Sequence, residues 1–441
     1  MKTLNTLLLT ISLLQIVNGQ DWPSIKSSAH PFNAIPTEYE ALSRQPLATL
    51  GWEDGVHISP DGLDLYCTYV PIDLLSFVLN GSFPNKFSSH YLRGAPTFGM
   101  DLVSNPIGEK EWLHADILYA HREDTSKGFE QWTLSKMARP FYSEGAPAPS
   151  IGKDEQTLDF MFFTSNESPE NNTDIWWIKN TNRNPTGKGV PLPPPIKTGF
   201  NEDNPHVVRT DKSHLVLFFD SNNRPEGKGD LDLWYSESMD NGETWQTPTN
   251  VSSINTRSKE NQPFLFYDSL SQHWQLYYSA LAGDGKLGIF RASQKVNNEW
   301  NSWGTPELVI GAGNTAGVGE PTLTHKGDIS FVVVYADKSN TSKYNHFDSD
   351  PWLLRKKSTA SLIPTNAEEM ILSLYPNPAN SYCQISPNLQ LEMIIVSDAL
   401  GRKYYETTKH IIPLSAWPNG LYYAQIYLKS GSIIRQEIVK H

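Results

Sequence analysis

Acidic residues recur along this chain in short phrases that resemble one another, and they are the first side chains that could carry out chemistry. Four of the five phrases have a proline within three residues of the glutamate. Carboxyl groups that meet in pairs can act as general acid and general base. A residue found in every phrase is more often part of a scaffold, and we expect these glutamates to cap loop N–H groups. They are Glu53, Glu144, Glu202, Glu260 and Glu320.

The residues that differ between the phrases are better candidates for a site. Asp54 and Asp203 follow their glutamate in only two phrases. His57 and His206 come shortly after them, and His325 is placed similarly in the last phrase. Histidines that meet at one place could bind a metal ion or hold a sugar hydroxyl. The alternative is that each is an ordinary interior histidine, so no metal ligand is assigned and the cofactor is unknown.

A long stretch between the first two phrases supplies further candidates. The interval from Glu53 to Glu144 is 91 residues, whereas the next three intervals are 58, 58 and 60. We assign the excess to an insertion over residues 71–112, which carries His90 and Arg93. A long insertion usually shapes a binding face, and the alternative is a packed decoration. His90 and Arg93 are therefore predicted binding residues.

The elements that must position these side chains are short strands. Each phrase is followed by alternating strands with polar turns, and a regular repeat of this kind is typical of a β-propeller, in which small sheets pack radially. Five phrases predict an all-β, five-bladed β-propeller over residues 20–357, and a strand from residues 22–50 is expected to close the fifth blade. A sandwich with coincidental spacing is the alternative. Second strands are predicted over residues 63–69, 158–164, 215–220, 274–279 and 329–336.

Two further motifs resemble those of known propellers. Residues 58–62 (Ile-Ser-Pro-Asp-Gly) and 221–234 are similar to TolB-type, WD40-like propeller repeats. Residues 238–245 (Ser-Met-Asp-Asn-Gly-Glu-Thr-Trp) fit the Asp-box pattern Ser-x-Asp-x-Gly-x-Thr-Trp. In such a box the aspartate accepts turn N–H groups, the glycine allows positive φ and the tryptophan packs the hairpin onto the sheet. Both motifs imply a scaffold and name no reaction.

The N-terminus predicts export. Lys2 precedes an apolar stretch over residues 7–17, and residues 17–19 fit a signal-peptidase site, so residues 1–19 are predicted to be a cleaved signal peptide. A short membrane anchor is the alternative, but the stretch is too short to span a membrane comfortably. No other segment reaches spanning length, so we expect no transmembrane segment in the mature chain.

The C-terminus predicts a second domain, a small antiparallel β-sandwich over residues 370–441 after a polar linker over 358–369. Tyr-Pro-Asn-Pro at 375–378, Asp-x-x-Gly-Arg at 398–402 and Pro-x-Gly-x-Tyr at 418–422 occur in this order. This set resembles the type A C-terminal sorting domain of the Bacteroidetes type IX secretion system. The resemblance implies that the chain is a partner of that machinery and crosses the outer membrane. The domain would then be removed, with the rest secreted or anchored at the surface. A fibronectin-like module is the alternative.

Composition disfavours a nucleic-acid partner and indicates a large buried core. The chain has 441 residues, a net charge of −12 and no basic run, which disfavours a nucleic-acid partner. Thirteen Trp and nineteen Tyr can fill a large core. The only two cysteines, Cys67 and Cys383, fall in different predicted domains, so both are expected to be buried apolar residues rather than a disulfide.

Two classes of function fit these observations. Five-bladed propellers of the family 43-like glycoside hydrolases place an aspartate base on the first blade, and a second aspartate and a glutamate acid on later blades. That resemblance would, by position, make Asp54 the base, Glu144 or Glu202 the acid and Asp203 a residue that tunes it. An inverting pair lies about 6.5–9.5 Å apart to admit a water molecule.

The second class is a non-catalytic surface protein that binds a glycan, a protein or peptidoglycan. In either class exposed aromatic side chains would stack on sugar rings, and Trp52 is the candidate beside the first acidic pair. The two classes differ in one substitution, because Asp54→Asn should abolish turnover and spare binding only in an enzyme.

Overall fold

The structure is a computed structural model that describes residues 21–75, 98, 115–139, 142–151, 157–168, 172–337, 346–357, 374, 377–385, 391–398, 402–429 and 433–441. The chain divides into two compact units, Met1–Lys356 and Lys357–His441. Strands dominate both units, which confirms the all-β prediction. Within the described ranges no helix is long and apolar enough to cross a membrane.

The first unit begins with a short helix and two short strands, and longer strands follow in regular succession. The bounds are α1 (Trp22–Ser27), β1 (Phe32–Asn33), β2 (Ser43–Arg44), β3 (Trp52–Ile58), β4 (Asp64–Val70), β5 (Asp116–His121), β6 (Thr133–Leu134), β7 (Glu144–Ile151), β8 (Thr157–Ser165), β9 (Asp174–Asn182), β10 (Val190–Pro191), β11 (Glu202–Arg209), β12 (Leu215–Asn222), β13 (Leu231–Ser238), β14 (Thr249–Asn250), β15 (Glu260–Asp268), β16 (His273–Leu281), β17 (Leu287–Ser293), β18 (Glu307–Gly311), β19 (Gly317–Leu323), β20 (Ile329–Asp337) and β21 (His346–Leu354).

These strands form five antiparallel sheets in chain order, here called sheets 1 to 5. Sheets 1 to 4 have the orders β3-β4-β5-β6, β7-β8-β9-β10, β11-β12-β13-β14 and β15-β16-β17-β18, and β1 adds to the edge of sheet 4. Sheet 5 has the order β19-β20-β21-β2. Its last strand comes from the N-terminal segment, as predicted, because Ser43 pairs with Leu353 and Arg44 with Trp352. Each first strand contacts the first strand of the next sheet, and β19 contacts β3.

The second strand of each sheet is buried on both faces, and β12 shows why. Leu215, Leu217 and Phe219 pack against sheet 2, whereas Val216 and Phe218 pack against sheet 4. Alternate residues of a strand point to opposite faces, so a sheet held between two neighbours needs apolar residues at every position. Full burial of each such side chain stabilises the fold by about 1.5–3 kcal/mol.

Every first strand contains a β-bulge near its beginning. The register shifts lie between Asp54 and His57, Gly145 and Ala148, Asp203 and His206, Asn261 and Phe264, and Gly319 and Thr322. The first residue of each bulge has positive φ, and these residues are Gly55, Ala146, Asn204, Gln262 and Glu320.

The bulges correct the predicted repeat. From Ala146 to Asn204, to Gln262 and to Glu320 the chain advances 58 residues each time. Glu320 is therefore the equivalent of Gln262, and its alignment with Glu260 was wrong by two residues. Val318 occupies the place that a glutamate takes in the other sheets.

The second unit contains two small antiparallel sheets around its own core. The strands are β22 (Tyr382–Gln384), β23 (Leu391–Asp398), β24 (Lys403–Thr407), β25 (Ile411–Pro413), β26 (Gly420–Leu428) and β27 (Ile433–Lys440). One sheet has the order β24-β23-β26-β27, and β22 pairs with β25. Cys383 and Ile412 of the small sheet share a core with Ile394 and Ala424 of the large one. Cys383 and Cys67 are both buried and form no disulfide, as predicted.

Candidate functional site

Four glutamates near the beginnings of first strands cap the loops that lead into those strands. Each carboxylate accepts a hydrogen bond from a backbone N–H four or five residues earlier, which is the scaffold role predicted for them. The N–H donor and the glutamate are Thr49 and Glu53 at 2.9 Å, Arg139 and Glu144 at 3.3 Å, Thr198 and Glu202 at 3.2 Å, and Thr256 and Glu260 at 2.8 Å.

Glu144 and Glu202, the predicted acids, each have an arginine partner as well. Arg139 lies 2.7 Å from a Glu144 oxygen, and Arg224 lies 3.0 Å from a Glu202 oxygen. Both glutamates are fully buried. Burial raises the pKa of Glu144 to about 7, against the opposing effect of Arg139, and burial also raises the pKa of Glu202. Their oxygens are thus bound to the scaffold on two sides.

Asp54 on β3 and Asp203 on β11 line one cavity at the beginning of the first strands. This acidic cavity has a volume of about 260 Å³ and is also lined by Glu144 and Glu320. Asp54 and Glu320 are close enough to share a hydrogen bond. The fold therefore brings both predicted aspartates together and adds Glu320 to them.

A further carboxyl group, Asp220, lies behind the cavity wall. Asp220 on β12 is the direct ladder partner of Asp203 on β11. Its Oδ2 accepts hydrogen bonds from Asn204 Nδ2 and from the backbone N–H of Gln262, both at 2.8 Å. Only 1% of its surface is exposed.

These carboxyl groups hold protons more strongly than exposed ones, because burial disfavours the charged form. Burial raises the pKa of Asp203, and the nearby Asp54 charge adds to the effect. Burial and the charge of Asp203 raise the pKa of Asp220 to about 7. Burial and Asp54 raise the pKa of Glu320 well above its usual range. Asp203, Asp220 and Glu320 therefore favour their protonated forms more than exposed carboxyl groups do.

The repeated sheets show that Asp220 is a departure from the scaffold. At the same ladder position sheets 1, 2 and 4 carry the hydroxyl residues Thr68, Thr164 and Ser279. Thr68 Oγ1 accepts the bulge N–H of Ala146 at 2.9 Å, and Ser279 Oγ accepts that of Glu320 at 3.1 Å. A hydroxyl therefore suffices for the structural contact that Asp220 makes. Sequence reasoning missed Asp220 and the site role of Glu320, which alignment on the bulges would have revealed.

The histidines meet in a second cavity, further along the same strands. This histidine cavity of about 290 Å³ is lined by His57, His206 and His325, together with Phe264 and other aromatic residues. The rings of His57 and His206 stack with centroids 6.0 Å apart. Burial lowers the pKa of His57 well below its usual range and that of His206 to about 3, so both rings are neutral. The histidines cluster, but the two cavities share no lining residue.

Of the three other predicted binding residues, Trp52 lines neither cavity. Trp52 is only 4% exposed and packs in the core of the first unit, so its proposed stacking on a sugar is corrected. His90 and Arg93 lie outside the residues that the structure describes. Within the described part of the chain, no cluster of three or more His, Cys, Asp or Glu residues is arranged to hold a metal ion.

The turn between β13 and β14 has the hydrogen bonds expected of its sequence. Asp240 Oδ1 accepts from the Thr244 N–H at 2.8 Å, and Asp240 Oδ2 accepts from Thr244 Oγ1 at 2.6 Å. Gly242 has φ +86°, and Trp245 is buried against sheets 2 and 3. The turn stabilises the edge of sheet 3 and lies in neither cavity.

Comparison with known proteins identifies the second unit. Residues 373–440 match the secretion system C-terminal sorting domain. No curated protein matches the chain in sequence. The sorting domain directs export through the type IX system, so the protein reaches the cell surface or is secreted, as predicted.

Several solved structures show distant similarity to the chain. The catalytic domain of the Coprinopsis cinerea GH62 α-L-arabinofuranosidase is 10% identical, with a TM-score of 0.45, over 72% of this chain and 98% of that one. The endo-arabinase of Bacteroides thetaiotaomicron is 13% identical, with a TM-score of 0.39, over 71% and 97%. An α-L-arabinofuranosidase from Lactobacillus brevis is 12% identical, with a TM-score of 0.40, over 70% and 92%. These similarities are too distant to assign an activity.

Proposed function

We propose that this protein is an extracellular glycoside hydrolase that acts through Asp54 and Asp203 in the acidic cavity. The observation that carries the proposal is the convergence of Asp54, Asp203 and Glu320 on one cavity, with Asp220 behind it. Export of the chain places this site where extracellular glycans are found. The first strands contact each other in cyclic order, which supports a five-bladed β-propeller as the scaffold. The hydrogen bonds of the Asp240 turn support an Asp-box in its third repeat, and we propose that the repeats are TolB-like.

Hydrolysis of a glycosidic bond needs one protonated and one ionised carboxyl group. We assign the acid to Asp203, because the buried Asp203–Asp220 pair retains a proton near neutral pH. Asp203 donates this proton to the leaving oxygen, while Asp54 takes a proton from the water that attacks the sugar carbon. Glu320 beside Asp54 stays protonated and holds that carboxylate in position by a hydrogen bond.

Glu144 and Glu202 take no part in this assignment. Their oxygens already accept hydrogen bonds from a loop N–H and from an arginine. A carboxyl group so occupied has little freedom to exchange a proton with a substrate. The proposal therefore keeps the two predicted aspartates and replaces the predicted glutamate acid by Asp203.

The test is turnover of 4-nitrophenyl glycosides and neutral polysaccharides by the wild type, Asp54→Asn and Asp203→Asn. Loss of one acid or base should lower kcat by about 10²–10⁴-fold. Asp230→Asn, which changes an exposed carboxylate, is the matched control and should keep full activity. Full activity of Asp54→Asn would contradict the proposal. Binding of glycans without any turnover by the wild type would instead support the non-catalytic alternative.

A further inference from the structure

The histidine cavity has features of a binding site that the proposed hydrolysis does not use. It opens at the other end of the same first strands and shares no lining residue with the acidic cavity. We propose that the histidine cavity is a second carbohydrate site, which binds one ring of a neutral polysaccharide. An unpaired polar group, exposed aromatic rings and a nearly uncharged lining support this proposal.

His57 is a buried polar side chain that faces this cavity without a hydrogen-bond partner. Its exposed fraction is 5%. Its ring contacts are His206 and Phe264, and no described residue donates to or accepts from its nitrogens. A neutral imidazole offers one N–H donor and one acceptor nitrogen. These nitrogens are not fully buried, so they are accessible from the cavity to the hydroxyl groups of a bound ligand.

Aromatic side chains supply the apolar surface that a sugar face requires. Tyr267 is 46% exposed, and its ring meets that of Trp274 at 5.2 Å with the two planes steeply inclined. Phe264 packs on the inner wall, 3.9 Å from the centroid of the His206 ring. Large, half-exposed aromatic rings beside polar groups are typical of sites for amphipathic ligands. A sugar ring has this character, since its faces carry C–H groups and its edge carries hydroxyls.

The charges of the cavity favour a neutral ligand. Arg209 is the one Lys, Arg, Asp or Glu residue among the described lining residues. Its guanidinium donates to the Lys212 carbonyl at 2.7 Å and lies 3.5 Å from Asp159. His57 and His206 are uncharged. An anionic sugar would therefore have no free cation to bind among these residues, whereas a neutral sugar needs none.

Two sites on one molecule would bind one polysaccharide more tightly than either site alone. A chain held at the histidine cavity keeps its other segments at high local concentration near the acidic cavity. The volume of about 290 Å³ suits a single ring, so the affinity of this site for a monosaccharide would be low. The site would therefore strengthen the binding of polysaccharides rather than of single sugars.

The test is affinity electrophoresis of the full chain, carrying Asp54→Asn, through gels with xylan, arabinan, mannan or polygalacturonate. We expect retardation by at least one of the three neutral polymers and none by polygalacturonate. Tyr267→Ala and His57→Phe should each weaken that interaction roughly ten-fold, the loss of about 1.4 kcal/mol. Tyr423→Ala, which removes a tyrosine of similar exposure from the second unit, is the matched control.

Each other result would overturn the proposal. Equal retardation of the parent, Tyr267→Ala and His57→Phe would show that the polymer binds elsewhere. Loss of retardation with Tyr423→Ala would have the same meaning, and so would the absence of retardation by any neutral polymer. Retardation by polygalacturonate alone would refute a neutral ligand. Thermal unfolding of each variant checks that a lost interaction is not lost folding.

Discussion

At the scale of single residues, the carboxyl groups divide into two kinds. Glutamates such as Glu202 and Glu260 repeat from sheet to sheet and accept a loop N–H each time. Asp220 and Glu320 occupy positions where the other sheets carry glycine, amide, hydroxyl or aliphatic side chains, and the position of Asp203 carries a second carboxyl group only in sheet 1, as Asp54. The other sheets thus serve as a comparison within one molecule. A side chain that is missing at the equivalent positions of those sheets is not required for the fold.

Ionisation of Asp220 should lower stability as pH rises. Burial and Asp203 raise the pKa of Asp220 to about 7 from an ordinary value of 3.8, so between these values the folded state binds more protons than the unfolded one. Stability must then fall as pH rises through that window. Asp220→Asn keeps an oxygen for Asn204 and Gln262 and removes the charge.

Urea unfolding should therefore find Asp220→Asn more stable than the wild type at pH 8, by more than about 1 kcal/mol, since one pKa unit corresponds to about 1.4 kcal/mol. The difference should vanish towards pH 4. Asp230→Asn, at an exposed site, should follow the wild type throughout. Parallel pH profiles for Asp220→Asn and the wild type would disprove the raised pKa.

A side chain at Gly55 should be costly, although Ala146 occupies the equivalent position in sheet 2. It has φ +55°, and a Cβ there would lie 2.4 Å from Thr68 Oγ1. Gly55→Ala is expected to destabilise the protein by about 1–3 kcal/mol in chemical unfolding. Gly283→Ala is the control, because Gly283 has no neighbour within 4 Å of that position. An equal effect of both substitutions would contradict this account of the bulge.

Four residues show how much of the candidate site could be predicted from the sequence alone. Asp54 and Asp203 stood out because they differ between repeats, and both do line one cavity. Asp220 was missed because it lies within an apolar strand, where its neighbour across the ladder cannot be known from sequence. The role of Trp52 was predicted wrongly because the sequence does not show whether a tryptophan lies on the surface or in the core.

At the scale of elements, the sequence predicted where the strands lie along the chain but not the residues at which they begin and end. The second strand of sheet 4 was predicted over 274–279 and is His273–Leu281. Hydrogen bonds to the neighbouring strand extend a strand into polar residues such as His273, which pairs with Asp268. Sheet 5 was correctly expected to take a strand from residues 22–50. The short helix α1, which precedes that strand, was not predicted.

Helix α1 fastens the N-terminal segment to sheet 5 through a buried charge. Lys26 Nζ lies 2.6 Å from Asp348 and 2.7 Å from Asp350, and it donates to the Thr49 carbonyl at 2.8 Å. Burial alone would lower the pKa of Lys26, but the two aspartates outweigh this and raise it. Removal of one partner from a buried ion pair leaves a charge without compensation.

Lys26→Met should accordingly destabilise the first unit by roughly 3–5 kcal/mol in urea unfolding. Lys259→Met is the control, since Lys259 is well exposed and lies 3.9 Å from Asp230. Its substitution should change stability by less than about 1 kcal/mol. A small effect at Lys26 would mean that the network is not required to hold α1.

At the scale of the whole molecule, the sorting domain and the proposed active site belong to different units. The sorting domain matches residues 373–440, whereas both cavities lie in the first unit. In a bacterium with type IX secretion, a chain without residues 373–440 should accumulate in the periplasm and keep its activity in lysates. Fractionation with a periplasmic marker enzyme measures this. Export of the shortened chain would contradict the assignment of the address.

The pairing of β2 with β21 affects the order in which the sheets can assemble. Ser43 and Leu353 are 310 positions apart, and Lys26 and Asp350 are 324 apart. A polypeptide that passes through a translocation channel from its N-terminus delivers β2 first and must wait for β21. Loop closure over such a distance is slow, so sheets 1 to 4 would assemble before the last joint forms. After β21 has emerged and before β2 pairs with it, the open edge of β21 is the place where a chaperone, or another copy of the chain, would first bind.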